Sequence, residues 1–153
     1  MNAVRKDEQD KQGSDMTASA FHYLFPEGTD SESKIIVELA RTELLSAHVQ
    51  IVRRGGETNL HAHNGEDAMW YVLGGQAAFY DETGAKRTLG KDDAILLPSG
   101  VKYWFESVGD EPLEILRISA RDRRVERTRT DVTERKRRVG SVRRFQAALV
   151  DQE

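Results

Sequence analysis

The chain contains four histidines, at positions 22, 48, 61 and 63, and two of them are separated by a single residue in His61-Ala62-His63. On an extended backbone, side chains two positions apart leave the same face. Two imidazoles one pleat apart offer two nitrogens to one divalent ion. They also form a compact acid–base pair for a substrate proton. The competing reading is a pair of surface or cavity histidines with hydrogen-bonding roles only. The chain has no Cys, which excludes a thiolate metal site, a cysteine nucleophile, an iron–sulfur cluster and a disulfide framework.

The elements that must hold these imidazoles read as short strands. Lys34–Ala40 is apolar and β-branched, and Leu44–Val52 is a second such run, broken by Arg53-Arg54-Gly55-Gly56. Met69–Leu73 is a third, ended by Gly74-Gly75. Ala77–Tyr80 and Lys86–Leu89 flank the hairpin signal Asp81-Glu82-Thr83-Gly84. Ala94–Leu97 closes on Pro98-Ser99-Gly100, and Val101–Ser107 and Leu113–Ala120 flank the turn Val108-Gly109-Asp110-Glu111-Pro112. Turn signals at this spacing, with no helical period between them, predict an all-β antiparallel sandwich or barrel. The string IIVELARTELL leaves one alternative open, a helix running from Glu32 to Leu45.

A chain of 153 residues suits one domain with extensions. Residues 1–18 are polar and read as a disordered tail; residues 19–120 form the β domain; residues 121–153 form a basic extension. Phe21, Tyr23, Leu24 and Phe25 make a small apolar arm that covers part of the core or a partner. The whole chain carries 23 Lys and Arg against 26 Asp and Glu. Residues 121–153 hold 11 of the former and 6 of the latter, so the body is acidic and the tail basic. An acidic body argues against a nucleic-acid grip. The tail's arginines are interrupted by acids and lack interleaved aromatics, so we read it as a solvated extension lying along the body or a neighbouring subunit. No apolar run reaches the ~18 residues of a membrane span, and the polar N-terminus does not read as a secretory signal. The expected location is therefore the cytoplasm.

Two strings carry a resemblance. GGETNLHAHNGEDAMWYVLGG places a Gly pair, the HxH, an aromatic strand and a second Gly pair in order, and GKDDAILLPSGVKYWFESVGDEPLEIL follows at hairpin distance. Together they resemble the two motifs of the cupin superfamily over about Lys34 to Ala120. Gly55, His61, His63 and Gly75 match Gly–x5–His–x–His–x4–Glu–x6–Gly, and Pro98 and Gly100 match Gly–x5–Pro–x–Gly–x2–His–x3–Asn. The resemblance implies a double-stranded β-helix, a jelly-roll barrel. The chain departs from the pattern where the family's Glu falls on Ala68 and its second-motif His on Tyr103. Asp92 and Ser107 replace the second motif's Gly and Asn. Two of the four usual metal ligands remain, so a competent site needs a third. Asp67 or Glu66 from the intervening loop would complete two His and a carboxylate, a set suited to non-haem Fe(II). Tyr103 as a phenolate, or His48 from the preceding strand, are the other donors. We assign the metal set His61, His63 and Asp67, with Fe, Mn, Zn or Ni as the ion.

By the same resemblance Tyr103 faces into the barrel and joins His61 and His63 as the catalytic group, while Trp70, Phe105 and His48 line a substrate pocket with it. For each aromatic residue, plain core packing is the competing reading. The expected function is a metal-assisted isomerase, lyase or dioxygenase acting on a small metabolite. The alternative is a non-enzymatic small-molecule binder without a metal. Exposed barrel edges and extended arms at both ends suit a homodimer.

Overall fold

The computed structural model describes residues 17–135 and 142–150. Most of the expected disordered tail over 1–18 therefore lies outside the described residues. Among the described residues thirteen strands follow in order: β1 (Phe21–His22), β2 (Lys34–Arg41), β3 (Leu45–Val52), β4 (Gly56–Asn64), β5 (Glu66–Gly74), β6 (Gln76–Asp81), β7 (Lys86–Leu89), β8 (Ala94–Leu97), β9 (Lys102–Val108), β10 (Leu113–Arg121), β11 (Thr128–Asp131), β12 (Val142–Gln146) and β13 (Ala148–Leu149). No helix among the described residues is long and apolar enough to cross a membrane.

The strands form a six-stranded sheet ordered β12-β2-β3-β10-β5-β8, a five-stranded sheet ordered β11-β4-β9-β6-β7, and a small β1-β13 ribbon. This is the expected all-β jelly roll, built as two facing sheets rather than one continuous hydrogen-bonded barrel. The core between them draws Val52, Trp70, Val72, Leu97, Leu113 and Ile115 from the first sheet and Ala77, Phe79, Tyr103 and Phe105 from the second. Alternation drives this arrangement: on β10, residues 113, 115, 117 and 119 are buried and their neighbours are not. The tight Gly75 junction between β5 and β6 needs glycine, because φ is +71° and a Cβ there would lie 2.3 Å from the Pro112 carbonyl oxygen.

The helix open to residues 32–45 does not form. Ile35, Ile36 and Val37 are all buried in β2 because this strand is covered on both faces, so the run is apolar without being helical. The chain reverses at Thr42, whose Oγ1 accepts from the backbone N–H groups of Leu44 and Leu45 at 3.2 and 3.0 Å.

The outer face of the six-stranded sheet carries a second core of Ile35, Val37, Val49, Ile51 and Ala147, with Tyr23 and Phe145 packed against it. The apolar arm and the basic extension thus meet over this sheet. β12 pairs in parallel with β2, and β11 pairs antiparallel with β4. Described stretches of the extension are therefore strands laid along the body, where the sequence reading had a solvated extension along the body or a neighbouring subunit. Phe145 and Ala147 pack onto the sheet while Arg143 and Arg144 beside them stay exposed, and a count of charges does not separate the two.

Candidate functional site

β4 carries the centre. Its pleat sends His61 and His63 to one face, with His61 opposite Tyr103 of β9. Glu57 lies opposite Phe105 across a bulge in the ladder, while the Asn59 side chain turns to Asp131 and Arg129 of β11. Gly56 makes the entry possible: with φ at +154°, a Cβ there would stand 2.5 Å from the Phe105 carbonyl oxygen, so only glycine lets β4 run this close to β9. The His61 ring centroid is 5.1 Å from that of His63 and 4.5 Å from that of Tyr103.

One oxygen joins the group. Glu57 Oε2 lies 2.9 Å from His61 Nε2, and the Tyr103 hydroxyl donates to it at 3.3 Å. The ligating atoms of Glu57, His61 and His63 all lie within 4.8 Å of one another. His61 is fully buried. Its Nδ1 is 2.7 Å from the Asn59 carbonyl oxygen, which can only accept, so Nδ1 bears the proton. Nε2 then turns a lone pair toward the carboxylate, and it has no hydrogen-bond partner although Glu57 is close. Two lone pairs at this separation repel unless a cation or a proton sits between them. The donor set and this orphaned nitrogen fit a divalent ion.

The electrostatics agree. Burial, reinforced by the Arg117 guanidinium, pushes His63 down to about 4, which leaves a neutral imidazole at neutral pH. Burial works to raise the Glu57 carboxyl, but a hydrogen bond from a protonated His61 Nε2 and the Lys34 charge outweigh that effect and hold it well below the usual carboxylate range, so without a cation it is a proton that bridges the two groups. Burial and the Glu57 charge push the Tyr103 phenol up, so Tyr103 stays protonated and is a donor rather than the phenolate considered from the sequence.

Around the cluster runs a charged shell. Arg117 Nη2 donates to Glu66 Oε1 at 2.7 Å with both side chains buried. The same oxygen is 3.5 Å from His63 Nδ1. Glu66 thus lies beside the His63 ring at ion-pair distance, with its Oε1 hydrogen-bonded to Arg117.

Asp67 does not reach this group. The loop expected between the HxH and the apolar strand is a single residue, Gly65, and β5 already begins at Glu66. Alternation from there sends Glu66, Ala68 and Trp70 inward and Asp67 and Met69 outward. Asp67 Oδ1 instead accepts from the Ser99 backbone N–H at 2.8 Å. The carboxylate beside the two imidazoles belongs to Glu57, which the sequence reading missed. Its signal was parity: 57, 61 and 63 share a face of one strand, but Gly55-Gly56 read as a break and hid the strand's first residues.

The other sequence candidates divide. Trp70 and Phe105 are fully buried in the core, with ring centroids 5.0 Å apart, and they wall off its apolar end. His48 faces the interior from β3, edge-on to Trp70 at 6.2 Å and 3.2 Å from the Gln50 amide nitrogen, outside the cluster of Glu57, His61 and His63. Tyr103 stands between the aromatic core and the cluster.

Comparison with known proteins agrees with the architecture. Residues 48–119 match the family model of the cupin domain. No curated protein matches the chain. Among solved structures, an uncharacterized conserved protein with a double-stranded β-helix domain from Klebsiella pneumoniae is similar at 20% identity and a TM-score of 0.58, over 71% of this chain and 84% of that one. A protein from Bacillus halodurans is similar at 19% identity and 0.53, over 67% and 80%. A cupin superfamily protein from Desulfitobacterium hafniense is similar at 16% identity and 0.51, over 58% and 78%. These likenesses speak to the fold. With the match of residues 48–119 to the cupin domain, across the strands that carry the HxH and Tyr103, they show that the chain has the double-stranded β-helix fold of cupin proteins.

Proposed function

We propose that this protein is a small-molecule enzyme whose centre is a divalent cation held by Glu57, His61 and His63, with Tyr103 as the adjoining proton donor. The observation that carries this reading is the fully buried His61 Nε2, unpartnered and facing a carboxylate oxygen at 2.9 Å. A bound divalent cation supplies Lewis-acid polarisation of a substrate oxygen. The chain's own residues do the rest. The Asn59 carbonyl fixes the His61 tautomer, so that ring is set before any ligand arrives, and Glu66 lies beside His63. Tyr103 keeps its proton at neutral pH and holds it at the Glu57 carboxylate, within reach of an oxygen bound beside the imidazoles. The buried aromatic wall of Trp70, Phe79 and Phe105 excludes water from that side. Proton transfer next to a carbonyl, as in an isomerase or lyase, suits this arrangement. Two imidazoles and one carboxylate also suit the non-haem Fe(II) set of a dioxygenase.

The test is elemental analysis of protein purified without an affinity tag, beside H61A and E57Q. We expect about one Fe, Mn, Zn or Ni per chain in the wild type and its loss in H61A. A wild-type protein that is metal-free and takes up none of the four on incubation refutes the proposal. Ligand-dependent melting without turnover would then favour binding alone.

A further inference from the structure

Beside Glu66 a cleft of about 630 Å³ opens to solvent. Four arginines line it, Arg41, Arg121, Arg123 and Arg127, and its other charged groups are Glu43 and Glu66. A positive excess is not what this chain's composition supplies, since acids outnumber bases overall. Three of the four arginines come from the end of β10 and the segment that follows it, which gathers them at one rim.

Their existing partners are weak or shared. Arg123 meets Glu43 at 3.6 Å with both side chains mostly exposed, and such a pair yields readily to a better anion. Arg41 meets Glu38 at 3.3 Å from an exposed position. Arg127 approaches Glu66 Oε2 at 3.8 Å, while the other oxygen of that carboxylate is already taken by Arg117. Arg121 makes no ion pair among the described residues. Guanidinium groups along a concavity offer the planar fork that binds carboxylate or phosphate oxygens.

The cleft also has a definite relation to the cluster. Glu66 lines it, and Glu66 Oε1 is 3.5 Å from His63 Nδ1. A single side chain, Glu66, therefore separates Arg127 from His63. We infer that the cleft binds the acidic group of the substrate, so that the enzyme acts on a small anion, a carboxylate or a phosphate ester. This rests on the reading of Glu57, His61 and His63 as the catalytic centre.

The experiment is calorimetric titration of inorganic phosphate, and separately of succinate, into the untagged full-length protein at low salt. R121A, R127A and R87A are titrated alongside, and the metal content of each sample is measured. Arg87 is exposed on β7, away from the cleft, and controls for net charge. We expect saturable binding of one anion with Kd on the order of 1 mM, weakened about tenfold in R121A and in R127A and within twofold in R87A. The preferred anion then distinguishes carboxylate from phosphate. Should R127A fold poorly because it touches Glu66, R121A alone carries the comparison. Absence of saturable binding below about 50 mM, or equal weakening in R87A, overturns the inference. Metal-loaded protein that binds neither anion overturns this inference and leaves the catalytic reading standing. Anion binding in protein that takes up no metal keeps an anion site and removes its role as a substrate anchor.

Discussion

Replacing Arg117 with Met should destabilise the protein and change the site in one stroke. Arg117 and Glu66 are 9% and 6% exposed, with Nη2 and Oε1 2.7 Å apart. With charge centres about 4 Å apart, their attraction is about 4 kcal/mol at the effective dielectric of a protein interior. Desolvation of both groups offsets much of that, so the pair as a whole adds little net stability. Breaking it is different. R117M leaves the Glu66 carboxylate buried with His63 at 3.5 Å and the half-exposed Arg127 at 3.8 Å as its remaining charged neighbours. A broken buried pair costs 3–5 kcal/mol in general, and these two residual contacts put this case at about 3 kcal/mol. For a chain of this length that corresponds to a fall in Tm of about 6–12 °C. E66L should cost about as much, because it strands the guanidinium beside the Trp70 ring, whose centroid is 5.6 Å away.

The double variant R117M/E66L should recover at least ~2 kcal/mol of the summed single costs, since neither charge is then left alone. Urea unfolding of the four proteins gives the cycle. A second readout separates this from mere loss of packing. Arg117 helps hold His63 down at about 4, so R117M should raise the His63 pKa, measured by NMR titration of the ring protons. Single costs below 1 kcal/mol that add without coupling, together with an unmoved His63, would refute the reasoning.

Metal-free protein should lose stability as pH falls from about 6.5 to about 4. His48 and His63 are both depressed to about 4, each chiefly by burial, so between these values the unfolded chain binds protons that the folded chain refuses. We expect about 2 kcal/mol from each, discounted for partial exposure, and H48Q should flatten half of the slope in urea midpoints across that range. G56A should cost about 1–3 kcal/mol and weaken metal uptake at Glu57 more than G84A does, because a Cβ at Gly56 meets the β9 backbone while one at Gly84 meets nothing within 4 Å. F145A should lower thermal stability by about 2 kcal/mol without altering metal content, since Phe145 packs on the outer sheet face, away from the cluster.

The architecture was legible because its signals are local. Gly75, Pro98 and Gly100 punctuate the chain where the backbone turns, and β10 shows its alternation in the sequence itself. The inward direction of His61 followed from the period of two and from motif order. What stayed hidden needed register. Whether residue 66 opens a strand or closes a loop decides which of Glu66 and Asp67 faces inward, and one glycine settles it. The Glu57 carboxylate was hidden for a related reason: the paired glycines before it mimic the end of an element, yet Gly56 is where β4 begins. The buried Arg117 was unreadable because an arginine on an alternating strand looks like its solvent face until a partner such as Glu66 is known.

The fate of residues 121–150 joins these threads. Read as a basic tail, the segment invites a separate role, yet its described parts are tied to the site. β11 pairs with β4 across His61 and His63, and Asp131 accepts from the Asn59 amide at 2.8 Å, on the residue whose carbonyl sets the His61 tautomer. Arg127 reaches Glu66, and Arg121 and Arg123 line the cleft beside it. β12 then extends the edge of the sheet that carries Glu66 and Arg117, paired in parallel with β2. A variant truncated after the β domain should therefore lose the edge support of β4 and three cleft-side arginines together. Its anion binding and its metal uptake would fall in the same experiment, whereas an independent tail would leave both intact.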